Sequence, residues 1–452
     1  MRHSNFCFSV VLLCSLLPLA ACGGGSSSSN VTPPPSVSVS IASAPASIGA
    51  GANWQYSATV TGSSNQAVTW SASGGGTIDA NTGVYIAPNT VPNPATVTIT
   101  ANAAAGATAS ATLKVLANDP LGTVSSSSQL SSCAGPLQGG TCYQLAVSCP
   151  GASDISVYLK VLTPSVAPVG TVLFGVGTGG SGLYDDPNSA GYAYGSNVVQ
   201  SVLNAGYNTV QVSFGAPFNS NQSAGWLQGP GGVRRLACRY ATVADWVYKN
   251  PKAINPNVGA SVTNSAPMCA TGNSGGSAAI AYAVYEYGLN SELAMVEPTS
   301  GPVMTRIDLG CSPCSSKVTG QVCSSSTNTH PEMCYESADA AIVDQAYSSG
   351  QNSGSGPCTS ALNGNPGANA AAIFQSDSIL YQGQLTINIA NTRMKQLLAD
   401  DDTSNAVPQA TTWQSLISPA PTQQCMAGVQ HDMPSFSSAA TQISSDIINN
   451  CH

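Results

Sequence analysis

The chain has 452 residues, of which 7% are charged, and a formal net charge of -8. That length exceeds the usual size of one hydrophobic core, so two or more domains are expected. With 12 Lys plus Arg against 20 Asp plus Glu, the chain offers no phosphate-neutralising face, which argues against nucleic acid as a partner.

Arg2 and His3 precede the apolar run FSVVLLCSLLPLAAC, too short to span a bilayer and ending in small residues, as a secretory signal does. Its end, Leu19 to Cys22, resembles the lipobox of bacterial lipoproteins. The resemblance implies that 1–22 is signal peptide and lipobox, with Cys22 lipidated as the mature N-terminus. An ordinary signal peptide with a chance Cys is the simpler alternative. Residues 23–36, GGGSSSSNVTPPPS, then form a tether that holds a domain away from a membrane. The expected place is therefore outside the cytoplasm, anchored to a bacterial outer membrane or cell surface, or released from it.

Residues 37–116 carry short alternating runs, VSVSI, WQYSATV, AVTWSA, ATVTITA and ATLKVL, split by Gly, Asn and Pro turns. Such spacing predicts a β-sandwich. The pattern VTWSASGGGTIDANTGVYIAP, with Trp70, Gly83, Tyr85 and Pro88, resembles bacterial immunoglobulin-like domains, which implies a spacer or adhesive module. Residues 117–135 read as a linker.

Of 15 cysteines, Cys7 and Cys14 lie in the signal and Cys22 would carry lipid. The remaining 12 fall between Cys133 and Cys451, an even number in an oxidising compartment, and predict up to six disulfides. Cys311, Cys314, Cys323 and Cys334 with His330 offer a zinc reading through CSPC, but the second pair is spaced too widely for a zinc ribbon.

From about Pro136 to residue 452 strands alternate with helices. DISVYLKVL alternates as a half-buried strand, and GTVLFGVG is apolar throughout, as a strand covered on both faces is. A helical SNVVQSVLNAG leads to the strand YNTVQVSFG, and VRRLACRYATVADWVYKN places Leu236, Tyr240, Val243, Ala244 and Val247 on one helical face. The strand SAPMCATG, the helix GSAAIAYAVYEYG and the strand ELAMVEP follow, an order that predicts a mostly parallel sheet flanked by helices.

Between that fourth strand and its helix stands GNSGG, a G-x-S-x-G pattern with Ser274 flanked by Gly272 and Gly276. The turn is so sharp that side chains at the two glycines would strike neighbouring backbone. In this strand-to-helix context residues 136–452 resemble the α/β-hydrolase fold of serine esterases and lipases, preceded by the immunoglobulin-like unit. The resemblance implies a Ser274 nucleophile with a base and an acid later in the chain.

Three histidines follow the signal. His452 ends the chain and His330 lies among the cysteines, which leaves His431, in AGVQHDMPSF before a helix. The acid is sought in LADDDTSN. Similar hydrolases often end this strand with Gly-x-x-Asp, and with Ala399 in the place of that Gly the match is Asp402, with Asp401 as the alternative. One oxyanion-hole amide should belong to Gly275. The second should come from TVLFGVGTGGSG, similar to the His-Gly-Gly loops of esterases but with Val176 where many have His, which leaves Thr178 and Gly179 open. A dinucleotide reading of the same loop lacks an acidic partner on the next strand.

An insertion over about 301–384, with five cysteines, is expected to act as a lid over the acyl pocket, and Trp226 is a candidate pocket aromatic. No metal or organic cofactor is required. The expected activity is hydrolysis of carboxylic esters, polymeric ones included, through an acyl-enzyme. Amide or peptide cleavage on the same fold is one alternative, and an inactive surface protein for adhesion or polymer binding is another. Substrate identity and oligomeric state are not legible.

Overall fold

The computed structural model describes residues 36–42, 44–215, 218, 224–254, 266–314, 323, 333–348, 356–380, 387–389 and 391–452. The signal and lipobox with Cys22, nearly all of the tether, and His330 lie outside the described residues.

The N-terminal unit is built of short strands. A four-stranded sheet uses Ser47–Gly49, Thr108–Leu116, Thr96–Ala103 and Val68–Ser73, and a three-stranded one uses Asn53–Gln55, Val84–Ile86 and Thr77–Ile78. Thr96–Ala103 buries every second residue, as the TVTITANA alternation requires. Val97, Ile99 and Ala101 meet Trp70, Tyr85 and Tyr56 in a core separate from the rest of the molecule.

The second unit centres on a nine-stranded sheet. In chain order its strands are β1 (Thr123–Gln129), β2 (Thr141–Ser148), β3 (Ile155–Leu162), β4 (Gly170–Gly175), β5 (Tyr207–Phe214), β6 (Met268–Asn273), β7 (Leu293–Thr299), β8 (Arg393–Ala399) and β9 (Thr422–Met426). They lie side by side as β1-β2-β3-β5-β4-β6-β7-β8-β9. Pairing is antiparallel from β1 to β5 and parallel from there on.

Helices cover both faces: α1 (Gly195–Asn204), α2 (Cys238–Lys249), α3 (Gly275–Tyr285), α4 (Ser337–Asp344), α5 (Ala406–Leu416) and α6 (Ser437–Asn450). Helices α1 and α6 pack together over one face, α2 and α3 over the other. In β4, Val172 and Phe174 enter the core under α1 and α6, while Leu173 enters the core under α2 and α3. That two-sided burial is why the strand is apolar without alternation. A parallel-dominated sheet flanked by helices, with G-x-S-x-G at the end of a central strand, fits the α/β-hydrolase fold.

The sheet begins before residue 136. The stretch 117–135, expected to be a linker, supplies the edge strand β1, paired antiparallel with β2. Six of its seven residues from Thr123 to Gln129, TVSSSSQ, are polar Ser, Thr or Gln side chains that stay exposed, so no hydrophobic period marks them. The same stretch joins the two units. Arg234, 2% exposed, binds Asp119 and Glu286 at 2.6 Å each and donates to the Ala50 carbonyl at 2.7 Å. Arg235 stacks over Trp54 at 4.5 Å. Asn53 donates to Asp377 at 2.9 Å.

Twelve cysteines form six disulfides: Cys133–Cys142, Cys149–Cys238, Cys269–Cys451, Cys311–Cys358, Cys314–Cys334 and Cys323–Cys425. The cysteines of the zinc reading are thus consumed in pairs. Cys323–Cys425 fastens the insertion to β9, and Cys269–Cys451 fastens the end of α6 to β6.

The Cys269–Cys451 bridge closes a loop of 182 residues behind the central strand. Replacing both cysteines with Ala is expected to destabilise the second unit by about 2–5 kcal/mol, the usual cost of removing a native bridge. Urea unfolding followed by tryptophan fluorescence checks this, and a loss well below that range would mean that packing of α6 alone holds the terminus.

Candidate active site

Strand β6 is buried along its whole length and ends at Asn273; α3 begins at Gly275. Ser274 between them has φ 53 and ψ -117, a conformation that L side chains rarely adopt and that ordinarily costs about 1–3 kcal/mol. Close approach of backbone on both sides maintains it. A Cβ on Gly275 would lie 1.9 Å from the Thr178 carbonyl oxygen, and one on Gly276 would lie 2.8 Å from that of Val176. A Cβ on Gly272 would meet the Gly276 backbone at 2.8 Å. Helix α3 is buried all round, so the turn cannot relax outward.

His431 lies in the loop after β9. Its Nδ1 is 2.8 Å from Asp402 Oδ2, and Asp402 is 3% exposed. That contact assigns the Nδ1 proton to the donor role and leaves Nε2 as the acceptor. Burial alone would lower the pKa of His431. The hydrogen bond and charge of Asp402, with Asp432 and Asp339 nearby, outweigh it and hold the imidazole above its ordinary value. Burial raises the Asp402 carboxyl, but its bond to His431, the imidazole charge and Ser404 outweigh that and hold it below the usual carboxylate range.

The neighbouring acids make other contacts, Asp400 through its carboxylate and Asp401 through its main chain. Asp400 Oδ1 accepts the Gly428 amide at 2.7 Å, and the Asp401 amide donates to the Val429 carbonyl at 3.0 Å.

Three polar residues that the sequence reading passed over brace this arrangement. Ser404 donates from its hydroxyl and its amide to Asp402 Oδ1, at 2.7 and 2.9 Å, and its hydroxyl lies 3.2 Å from His431 Nδ1. Asn273, directly before Ser274, donates to the His431 carbonyl at 3.2 Å and accepts from Thr299 at 2.9 Å. The Tyr192 hydroxyl accepts the Gly177 amide at 2.9 Å. Of these, Ser404 was findable, since Ser two residues after Asp is a turn in which the carboxylate caps the backbone.

The loop after β4 reaches the turn from the other side. Thr178 has φ 53 and is exposed beside Gly275. Gly179 is buried, its carbonyl accepting the Trp226 amide at 2.8 Å, and a Cβ there would strike the Ala224 carbonyl at 1.9 Å. It therefore stands behind the cavity wall. Trp226, expected near the pocket, is wholly buried against Tyr282 in the core, and Val176 is likewise a core residue.

Ser274, Gly275, Thr178 and His431 line one cavity of about 370 Å³. Val303, Met304 and residues of α4, all from the insertion, form its apolar side, and Glu336, Asp339, Ser404, Asn405 and Asp432 its polar side. Among the described residues no group of His, Cys, Asp or Glu could hold a metal ion.

The chain matches no family model and no curated protein. Among solved structures it is similar to an esterase of Pyrobaculum calidifontis, at 12% identity over 70% of this chain and 86% of that one, with a TM-score of 0.40. It is similar also to the carboxylesterase EstE1 from a metagenomic library, at 11% identity over 74% and 92%, with a TM-score of 0.40. Est1E from Butyrivibrio proteoclasticus is 9% identical over 68% and 96%, with a TM-score of 0.37. At these identities and TM-scores the likenesses carry no inference about activity.

Because Asp402 is the largest influence raising the pKa of His431, Asp402→Asn is expected to shift the imidazole titration downward. Nitrogen-detected NMR of the ring measures the midpoint in both proteins. An unchanged midpoint would mean that the pair is not coupled.

Proposed function

We propose that the chain is an exported serine hydrolase that cleaves carboxylic esters. The observation that carries this reading is the Asp402–His431 bond at 2.8 Å, with His431 lining the same cavity as Ser274, whose backbone is strained at a strand-to-helix turn. A carboxylate that orients an imidazole beside a serine is the apparatus of acyl transfer.

In the proposed reaction the Ser274 Oγ attacks the ester carbonyl while His431 Nε2 takes its proton. Asp402 keeps the proton on Nδ1 and stabilises the imidazolium that forms. The amides of Gly275 and Thr178 face the developing oxyanion; Gly179 is too deep for that role and Gly177 has given its amide to Tyr192. His431 returns its proton to the leaving alcohol, and water, activated by the same imidazole, hydrolyses the acyl-enzyme.

Residues 37–116 are read as an immunoglobulin-like spacer, supported by the two small sheets around Trp70 and Tyr85. Lipidation at Cys22 is supported by LAAC and the Gly/Ser/Pro stretch after it, and six disulfides suit an oxidising compartment.

A fluorophosphonate probe is expected to label the protein at Ser274 and to fail on Ser274→Ala. Asp402→Asn should retain the fold and lower kcat on an activated ester by about 10⁴-fold, since the imidazole would be held in the wrong tautomer. Asp400→Asn should change kcat little. Absence of labelling would favour an inactive surface protein, and a large loss in Asp401→Asn alone would move the acid to that residue.

In a bacterial host that acylates lipoproteins, the full chain should sediment with membranes and Cys22→Ala should not. Continued sedimentation of the Cys22→Ala protein would overturn the lipid anchor.

A further inference from the structure

The N-terminal unit touches the second unit at a place that bears on the cavity. A spacer needs only a linker, and domains of one chain ordinarily keep modest, polar contacts and move relative to one another. Here the contact is built on a buried carboxylate. Asp377, 3% exposed, ends the helix Ala370–Asp377 of the insertion. Its Oδ1 accepts from Asn53 Nδ2 of the N-terminal unit at 2.9 Å, and its Oδ2 accepts from the Tyr347 hydroxyl at 2.8 Å. The same Asn53 nitrogen donates to Ser376 Oγ, and the Asn53 carbonyl accepts from Arg235 at 2.6 Å. At the other end of that helix Asn369 donates to Thr82 Oγ1 at 2.8 Å, so the N-terminal unit grips the helix at both ends.

Asp377 leads on to the apolar side of the cavity by two routes. The chain that follows it is bonded to the segment that supplies Val303 and Met304. The Ile379 amide donates to the Met304 carbonyl at 3.2 Å, the Leu380 amide to the Thr305 carbonyl at 3.0 Å, and Ser378 Oγ accepts the Ile307 amide at 2.8 Å. Tyr347 comes shortly after α4, which supplies Ile342 and Val343. Residues 376–380 are all buried, so a shift of Asp377 is passed on through packed chain rather than lost to solvent.

We propose that Asn53 is a positioning residue for the cavity. By holding Asp377 it fixes the stretch 376–380, and with it the wall of Val303, Met304, Ile342 and Val343 against which the aliphatic part of a substrate lies. Without Asn53 a buried carboxylate loses a donor, and its surroundings must rearrange or admit water to replace it. The N-terminal unit thus does more than hold the second unit at a distance: it sets how well the site takes a long acyl chain. That selectivity rests on the hydrolase reading of Ser274.

The test uses the full chain carrying Asn53→Ala, Asn53→Asp, or the reciprocal pair Asn53→Asp with Asp377→Asn, which again sets an amide opposite a carboxylate. Amide hydrogen exchange, read by mass spectrometry, should rise several-fold over 303–305 and 376–380 in Asn53→Ala. It should rise further in Asn53→Asp, where two carboxylates face each other, and return toward wild type in the reciprocal pair, with β6 and α6 unchanged throughout. On p-nitrophenyl esters, kcat/KM for the hexanoate should fall about three- to tenfold in Asn53→Ala, mainly through KM, with a smaller loss for the acetate. Exchange at 303–305 that matches wild type in both single variants overturns the inference, as do equal losses on the two esters or a reciprocal pair no closer to wild type than Asn53→Asp. Should a single variant not fold, the reciprocal pair decides: it folds with both readouts regained, or the inference fails. If the wild type cleaves no ester, the hydrolase reading fails, and the exchange rates alone decide this inference by the same outcomes.

Discussion

The strained backbone at Ser274 is the constraint on which the rest of the second unit depends. A residue at φ 53 between a buried strand and a buried helix survives only if the surroundings over-determine it. Here they do so by proximity of main chain. Gly275 and Gly276 let the loop after β4 pass within contact of the turn, and the same approach carries Thr178 to the cavity. One absence of side chains therefore sets both the exposure of the serine and the position of the amide opposite it.

The imidazole and its acid are then fixed by polar contacts of low exposure. Asn273 ties the His431 main chain to the turn itself, with Thr299 on the neighbouring strand fixing the amide in turn. Ser404 satisfies the second oxygen of Asp402, so that the first is left to the imidazole. Buried polar groups with a complete set of partners rigidify a site, whereas incomplete ones are costly.

The cystines and the arginine clamp act at longer range. Cys323–Cys425 joins the insertion that walls the cavity to β9, the strand that leads to His431. Arg234 gathers Asp119, Glu286 and the Ala50 carbonyl, so the stretch between the units is held against both of them. Buried ion pairs of this kind add little net stability, but the loss of one member leaves charges uncompensated, which makes the junction specific.

The sequence by itself determined the features that depend on local pattern. Two-sided burial made β4 apolar throughout, alternation marked the strand at 96–103, and glycines around Ser274 announced a turn that tolerates no side chains. Chain order and the scarcity of histidines singled out His431, and the similarity to Gly-x-x-Asp endings led to Asp402. Only the tertiary structure decided what depends on direction and distant partners. Asp400, Asp401 and Asp402 are alike in composition, and which one faces the imidazole is set by how β8 and β9 end side by side. Thr178 and Gly179 differ by one residue, yet one meets the cavity and the other the Ala224 carbonyl. Trp226 was placed in the core by contacts with Tyr282 that no local period records. The strand at 123–129 is exposed except at Val124 and draws its identity from hydrogen bonds to β2, which leave no trace in side-chain chemistry. Cystine pairing, and the meeting of Asn405 with Asp339 across 66 residues, follow from the same cause: the chain writes its periods locally, while partners are chosen by the packed sheet.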